Sequence, residues 1–389
     1  MRRRDFLRAG ASLPLWGTVG GVAYAAPLRE VSNPPATRNL LILVELKGGN
    51  DTLNTVVPYA DAQYRRQRSR LALDRDSVIK ITDSAGLHPS LENLVPAWTD
   101  QRLAIVQGLG YPEPNLSHFR SIEIWDTASK SAEYLEEGWL ARALAKSPSP
   151  ASFAAEGVVV GASGMGPLAG GARAIALTDP DQFLRNARLA HGAGVTRNAS
   201  LAHILRVERE IVQSAEKLNA GHDFTTSFPT GPFGNAIRTA AQLAANSAGI
   251  AVIRISLGGF DTHANQLGTH ANLLRQLGEG MAALREALME IGRWDTTLVA
   301  TYSEFGRRPY ENQSGGTDHG TAAAHLVMGG KVKGGLYGEP PRLDRLDGNG
   351  NLPFALDFRG YYATFLDGWW GMDSRDALRG RFPQVPILV

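Results

Sequence analysis

Cysteine is absent from this 389-residue sequence, and no apolar run approaches the length of about 18 residues that marks a membrane-spanning helix. The lack of cysteine excludes disulfides and thiolate metal sites, which leaves Asp, Glu, His and Asn as candidate metal ligands. No internal repeat and no run of like charges interrupts the chain. We therefore expect a globular protein without a stable membrane span, in which any metal is bound by oxygen and imidazole ligands.

The first 25 residues have the pattern of a twin-arginine signal peptide. The pair Arg3-Arg4 precedes Phe6, and a glycine-diluted apolar stretch over 9–22 leads to the small-residue site Ala23-Tyr24-Ala25. This pattern predicts a signal peptide over 1–25, a flexible Pro-rich lead-in over 26–38, and a periplasmic or otherwise exported protein that meets the twin-arginine translocase. The alternative is a basic, frayed N-terminal helix of a cytosolic protein.

The slight excess of basic residues belongs to this N-terminal segment. The whole chain has 40 basic and 38 acidic residues, and removal of residues 1–25, with four arginines and one aspartate, leaves 36 and 37 (40 − 4 and 38 − 1). A net charge near −1 gives no basic surface for nucleic acid or for an anionic membrane.

Four apolar runs, each followed by a glycine-containing or polar loop, predict buried strands at 40–46, 103–107, 250–255 and 297–302. Helical periodicity lies between and around them, at 117–127, 198–219, 232–247 and 267–292. Alternating strands and helices predict the α/β class, with a doubly wound, mostly parallel sheet flanked by helices over 39–389. The stretch from about 130 to 248 departs from this rhythm and is predicted to be an inserted helical lobe. The glycines at 161–166 are predicted to form a plain loop and not a nucleotide site.

Side chains that can bind metals follow the predicted strands. The carboxyl ends of parallel strands share one edge of a sheet, so these side chains can converge, and clustered carboxylates repel one another unless a cation is bound. The candidate metal ligands are Asp51, Asp261, His263, Glu304, Asp318 and His319. Other interpretations stay open: a turn at Asp51, a helix N-cap at Asp261, an ion pair for Glu304. His325, in an apolar setting, is predicted to be a core residue.

Ser117 opens the helix that follows the second predicted strand. Backbone N–H groups and the helix dipole at such a position can hold a phosphate or sulfate, which makes Ser117 a candidate nucleophile. His118 and Arg120 could contact the same oxyanion. The alternative is that Ser117 or Asn115 only caps the helix.

Five motifs in order carry a resemblance over essentially the whole mature chain. They are Leu-Lys-Gly-Gly-Asn-Asp-Thr-Leu-Asn (46–54), Ser-His-Phe-Arg-Ser (117–121), Gly-Gly-Phe-Asp-Thr-His-Ala-Asn (258–265), Ser-Glu-Phe-Gly-Arg (303–307) and Gly-Thr-Asp-His-Gly (316–320). The chain resembles a bacterial family of twin-arginine-exported proteins, domain of unknown function 1501, which looks like a distant branch of the alkaline phosphatase/sulfatase superfamily.

The resemblance implies an alkaline-phosphatase-like fold and residue roles. It implies that Asp51 is a metal aspartate, Ser117 the nucleophile, Asp261 with His263 a metal pair, and His319 a late metal histidine. The pattern departs at Phe305, where the superfamily has a histidine, and at Asp261 and His263, which are two residues apart where the superfamily usually has four.

These observations lead to the expectation of an exported metal-dependent hydrolase. Its substrate would be an anionic small-molecule or glycan ester of phosphate or sulfate, and its cofactor one or two divalent ions (Zn, Mn, Ca or Mg). Ser117 would attack, and Arg120 or Arg307 would offset charge. The alternatives are a non-catalytic envelope binding protein that retains the fold and a metal or anion site, and a metal ion that only stabilises the fold.

Overall fold

The computed structural model describes residues 39–150, 152–177, 222–247 and 249–389. The predicted signal peptide, the lead-in and the predicted helix at 198–219 lie outside these residues.

Most of the described strands belong to one large sheet. In chain order the strands are β1 (Leu40–Lys47), β2 (Val56–Val57), β3 (Ile79–Lys80), β4 (Gly86–Leu87), β5 (Leu103–Gly110), β6 (Ala155–Val160), β7 (Ala174–Leu177), β8 (Ile250–Gly258), β9 (Thr297–Tyr302), β10 (Arg307–Glu311), β11 (Thr317–His319), β12 (Ala323–Met328), β13 (Gly335–Tyr337) and β14 (Leu356–Asp357). The large sheet has the order β13-β5-β12-β9-β1-β8-β6-β7, and β14 also pairs with β5.

The large sheet is mixed and mostly parallel, as the sequence predicted. β1 lies between β8 and β9 and is parallel to both, whereas β12 is antiparallel to β5 and β9. The four predicted strands are β1, β5, β8 and β9. Because β1, β8 and β9 run in the same direction, the loops that follow them meet at one edge of the sheet.

Helices cover both faces of the sheet. The α-helices of the described residues are α1 (Thr52–Thr55), α2 (Ala62–Gln67), α3 (Val95–Thr99), α4 (His118–Thr127), α5 (Trp139–Lys146), α6 (Gly231–Ala245), α7 (Gln266–Glu290), α8 (Phe358–Ala363) and α9 (Arg375–Leu378). Short 3₁₀ segments occur at Pro89–Leu94, Gly166–Leu168 and Trp294–Thr296, and a π-helical turn at Thr364–Trp369. None of the helices in these residue ranges is long and apolar enough to cross a membrane.

The continuous apolar run of β1 reflects burial on both of its faces. Leu40, Ile42 and Val44 pack into one core with residues of α6 and α7. Leu41 and Leu43 point the other way, into a second core built with α4, α5 and α8. Side chains alternate along a strand, so only a strand covered on both sides needs apolar residues at every position.

The stretch 130–248 contributes strands to the main sheet as well as helices. β6 pairs parallel with β8, and β7 pairs parallel with β6 at the edge of the sheet. The described part of the predicted helical lobe is therefore continuous with the sheet through β6 and β7, while residues 178–221 lie outside the described part of the chain.

Candidate metal centre

Three imidazoles and one carboxylate converge at the edge where β1, β8 and β9 end. His118 begins α4, Asp261 and His263 follow β8, and His319 ends β11. One ligand atom from each of His118, Asp261 and His319 lies within 4.8 Å of the others. His263 joins them, with its Nε2 2.9 Å from Nε2 of His319 and 3.0 Å from Oδ1 of Asp261. We refer to these four residues as the His₃Asp cluster.

In two histidines of the cluster, Nδ1 faces a hydrogen-bond acceptor outside the cluster, while Nε2 faces Asp261. Nδ1 of His319 lies 2.8 Å from the Leu116 carbonyl oxygen, which can only accept, so Nδ1 carries the proton. Nδ1 of His118 lies 2.8 Å from Oε1 of Glu304, and the same reasoning applies. In the neutral ring of His319, Nε2 is then unprotonated. The Nε2 atoms of His118 and His319 both face Asp261, at 3.3 Å in each case. Nε2 of His118 is also buried without a hydrogen-bond partner in the described structure.

Burial and the contact with Arg307 set the charges of His319 and Asp261. Burial lowers the pKa of His319 below its ordinary value and keeps this imidazole neutral. Burial opposes ionisation of Asp261, but the hydrogen bond and charge of Arg307, with the nearby imidazoles, hold the pKa of this carboxyl below its usual range. A neutral imidazole, here His319, and an ionised carboxylate that face each other are the arrangement a divalent cation stabilises.

Arg307 hydrogen-bonds to the backbone of the loops that surround the cluster. Its side chain is wholly buried and donates to carbonyl oxygens of Gly48, Gly49, Phe260 and Thr317. It also donates to Oδ1 of Asp261 at 2.6 Å. The expectation that Arg307 offsets substrate charge is therefore corrected, because the guanidinium is used inside the protein to hold Asp261.

Glycine is required where the loop after β1 passes under the cluster. Gly48 and Gly49 have φ of +118° and +80°. A Cβ atom would lie 2.4 Å from the Asp261 nitrogen at Gly48 and 2.4 Å from the Phe305 ring at Gly49. Both the backbone conformation and the close approach exclude larger residues.

Asp51 is not placed in the cluster. Its carboxylate is fully buried and receives two hydrogen bonds from Arg68, at 2.5 and 2.9 Å, and one from Gln266 at 2.5 Å. Burial opposes its ionisation, but the charge and hydrogen bonds of Arg68 outweigh that effect and lower the pKa. The expectation that Asp51 is a metal ligand is corrected, because both of its carboxylate oxygens already accept hydrogen bonds from the Arg68 guanidinium.

Glu304 and Asp318 lie outside the His₃Asp cluster and contact two of its histidines. Oε1 of Glu304 accepts from the backbone N–H of Gly48 at 2.9 Å and faces Nδ1 of His118. Oδ1 of Asp318, a half-exposed residue, lies 3.4 Å from Nδ1 of His263 and accepts from Asn312 at 3.2 Å. Both carboxylates thus orient histidines of the cluster, which differs from the direct ligation expected of them.

Ser117 borders the cluster on its solvent side. It is exposed, and it is the N-cap of α4 without a side-chain capping bond. The residues on either side touch the cluster, Leu116 through its carbonyl and His118 through its ring. The Ser117 hydroxyl has no hydrogen-bond partner in the described structure, so it is free to meet a ligand.

Arg120 points away from the cleft. Its guanidinium donates to the carbonyls of Lys130, Ser131 and Glu133, and it stacks 3.9 Å over the Tyr134 ring. The expectation of a catalytic role for Arg120 is corrected: the side chain is 8 % exposed and holds the 130–134 loop.

His325 is a core residue, as predicted. It is fully buried, with its ring 5.4 Å from Trp125 and 6.1 Å from Tyr361 between centroids. Burial lowers its pKa to about 3, so it stays neutral.

Sequence reasoning missed His118 as a member of the cluster. The motif Ser-His-Phe-Arg-Ser was recognised for its serine, and the imidazole beside it was considered only for oxyanion contact. The available signal was its position at a helix start after a strand of the parallel sheet, the same criterion that identified Ser117.

The sequence model of a family described as "Protein of unknown function (DUF1501)" matches residues 38–377. No curated protein sequence matches this chain.

Several solved structures are similar to this chain. They include the PsFucS1 sulfatase from Pseudoalteromonas sp., at 9 % identity with a TM-score of 0.40, covering 91 % of this chain and 73 % of that chain. The C-terminal periplasmic domain of EcEptC from Escherichia coli is similar at 10 % identity and a TM-score of 0.42, covering 89 % and 88 %. A protein in the alkaline phosphatase superfamily from Vibrio parahaemolyticus is similar at 10 % identity and a TM-score of 0.36, covering 78 % and 64 %. At such identities and scores, none of these similarities transfers an activity or a ligand to this chain.

Proposed function

We propose that this chain, which belongs to the DUF1501 family, is an exported metal-dependent hydrolase of phosphate or sulfate esters. The observation that carries the proposal is the His₃Asp cluster, in which the Nε2 atoms of His118 and His319 face the ionised Asp261.

The spacing and chemistry of the donor atoms support one divalent ion. Metal–nitrogen bonds of about 2.0–2.1 Å in a tetrahedral site separate neighbouring donors by about 3.3 Å. The separations among His263 Nε2, His319 Nε2 and Oδ1 of Asp261 are 2.9–3.3 Å and are close to that value, and Nε2 of His118 lies 3.3 Å from the other oxygen of Asp261. Three imidazoles with one carboxylate favour zinc or a similar transition metal over calcium and magnesium, which prefer oxygen ligands. A bound ion would act as a Lewis acid on the ester oxygens.

Ser117 is the proposed nucleophile. Its hydroxyl oxygen would attack the phosphorus or sulfur atom, the ester oxygen would leave with a proton as the alcohol, and water would later hydrolyse the ester formed on the serine. The free N–H groups in the first turn of α4 can stabilise negative charge on the group under attack. Glu304 would hold the His118 ring in its orientation throughout, through Nδ1.

We expect Ser117→Ala to abolish turnover of aryl phosphates or aryl sulfates by the zinc-loaded or manganese-loaded protein. The turnover rate should fall at least about 10³-fold, because the attacking oxygen is lost, while the metal content stays at the wild-type value. The matched control is Ser84→Ala, an exposed loop serine outside the cluster, which should retain full turnover. Wild-type-like activity in Ser117→Ala would overturn the nucleophile assignment, and absence of turnover in every metal-loaded wild-type sample would overturn the hydrolase proposal.

A non-catalytic envelope binding protein is the second candidate, and one observation favours it. Phe119 lies two residues after Ser117 in the first turn of α4, and its side chain is 89 % exposed. An exposed aromatic ring offers a large apolar contact area for a ligand or partner. This candidate predicts binding to cell-envelope glycans that survives Ser117→Ala and is lost in Phe119→Ala.

Export through the twin-arginine route is tested separately. Arg3→Lys/Arg4→Lys in the full chain should retain the protein in the cytoplasm, because the paired arginines are the recognition element. Cell fractionation measures this, and Arg65→Lys/Arg66→Lys within α2 is the matched control. Unchanged export of the first variant would show that residues 1–25 are not a twin-arginine signal.

A further inference from the structure

We propose that a second pocket, apart from the His₃Asp cluster, binds a small molecule that has an apolar body and one amide-like group. The pocket lies between α1, the end of β5, the start of β12 and the loops at 339–342 and 352–355, and it encloses about 280 Å³. This volume is close to the lower limit of about 300 Å³ for ligand pockets. No residue of the His₃Asp cluster lines it.

Gln107 is the polar group that defines the ligand. Its residue is 6 % exposed and lines the pocket, and its side-chain amide has no hydrogen-bond partner among the described residues. The amide atoms of Gln107 are not among the buried side-chain atoms without a partner, so the amide is accessible from the space of the pocket. A ligand in the pocket would supply the missing partner.

An amide side chain presents a donor and an acceptor next to each other. The group that satisfies both at once is another amide, a lactam or a protonated carboxyl group. A ketone satisfies only the donor and an amine only the acceptor. Gln107 therefore selects an amide-like group by geometry as well as by polarity.

Slightly more than half of the pocket lining is apolar, which suits a ligand with an apolar body. Val56 and Ala324 belong to the core beneath α7, and Leu53 and Leu352 belong to a smaller apolar cluster near α1. The pocket is the gap where these two clusters do not close on each other. Apolar walls with a few placed polar groups are the usual composition of small-molecule sites.

The charges at the mouth do not select an ion of one sign. Arg342, Arg345 and Glu339 line it, and Arg342 pairs with Asp344 at 3.2 Å. With opposite charges present, the neutral hydrogen bond to Gln107 is the specific contact. The ligand is therefore inferred to be neutral.

The test uses two probes of the same shape, 2-naphthamide and 2-acetylnaphthalene, with the full mature protein and ligand-observed NMR or calorimetry. We expect 2-naphthamide to bind the wild type about tenfold more tightly than 2-acetylnaphthalene, which lacks the donor. Gln107→Leu should lower the affinity for 2-naphthamide about tenfold and remove the preference for 2-naphthamide over 2-acetylnaphthalene. Gln276→Leu, at a glutamine of α7 that does not line the pocket, should bind both probes as the wild type does.

A stability readout accompanies the binding test. Without ligand, Gln107→Leu should keep the wild-type Tm, because the amide has no protein partner to lose and leucine keeps the volume of the side chain. Should this variant not fold, Ala355→Trp on the exposed loop narrows the pocket and should abolish binding of both probes. The proposal is overturned if the wild type binds neither probe, if it binds both equally, or if Gln107→Leu binds 2-naphthamide unchanged. None of these outcomes bears on the hydrolase, whose test uses Ser117.

Discussion

Asp261→Asn, His118→Ala and His319→Ala proteins should each fail to bind the metal ion that we propose for the wild type. Each substitution removes one donor of a site that has few, and His118 and His319 are held in the metal-binding tautomer by Glu304 and Leu116. Elemental analysis after loading with zinc should find about one ion per wild-type chain and far less in the variants. Saturating zinc should stabilise the wild type by about 2.7 kcal/mol at a free concentration of about 100 Kd, and the variants much less.

Two further variants make this result specific. His222→Ala removes a histidine on the surface, paired with Glu290 at 3.8 Å, and should bind zinc as the wild type does. Glu304→Gln leaves every donor in place but weakens the orientation of His118, so the affinity for zinc should fall about 10–100-fold without vanishing. Metal binding that persists in Asp261→Asn, or that disappears in His222→Ala, would contradict the site.

Asp51→Asn and Arg68→Met should each lower the free energy of unfolding by about 3–5 kcal/mol, because either change leaves a buried group without its partner. Arg68 is wholly buried, and it bonds Asn54 and the carbonyls of Arg308 and Pro309 as well as Asp51. Urea denaturation measures the loss. The matched control is Arg65→Met in α2, the helix that ends just before Arg68. The Arg65–Asp74 pair is 59 % and 82 % exposed and should contribute at most about 1 kcal/mol.

The same pair predicts a dependence on pH. The pKa of Asp51 is lowered in the folded protein from its ordinary value of 3.8. Its contribution is therefore fully present above that ordinary value and is lost as the pH falls through the lower, folded-state value. The wild type should lose stability in acid below about pH 4, whereas Asp51→Asn should show a flatter profile there. An equal acid response in both proteins would show that Asp51 is not the titrating group.

Local sequence patterns determined the main sheet. β1, β5, β8 and β9 were identifiable because strands buried on both faces need uninterrupted apolar residues, and the loops after them carry glycine or polar side chains. The same logic located the edge of the sheet where Asp261, His263 and His319 meet. His325 was separable from these residues because its neighbours along the chain are apolar.

The antiparallel placement of β12 and the addition of β6 and β7 to the sheet depend on pairings between strands distant in the chain. A strand's own residues set its tendency to extend but not its neighbour or direction. Those are chosen by contacts that form only when the layers pack.

Only the tertiary structure decided which aspartate faces the histidines of the cluster. Asp51 and Asp261 look alike in the sequence, each in a polar loop after a buried strand. Arg68 hydrogen-bonds to both carboxylate oxygens of Asp51. Arg307 hydrogen-bonds to only one oxygen of Asp261, and the Asp261 carboxylate also faces three imidazoles. Charge pairing depends on distances of a few ångströms between residues far apart in the chain, so no local pattern could assign these two aspartates to their roles.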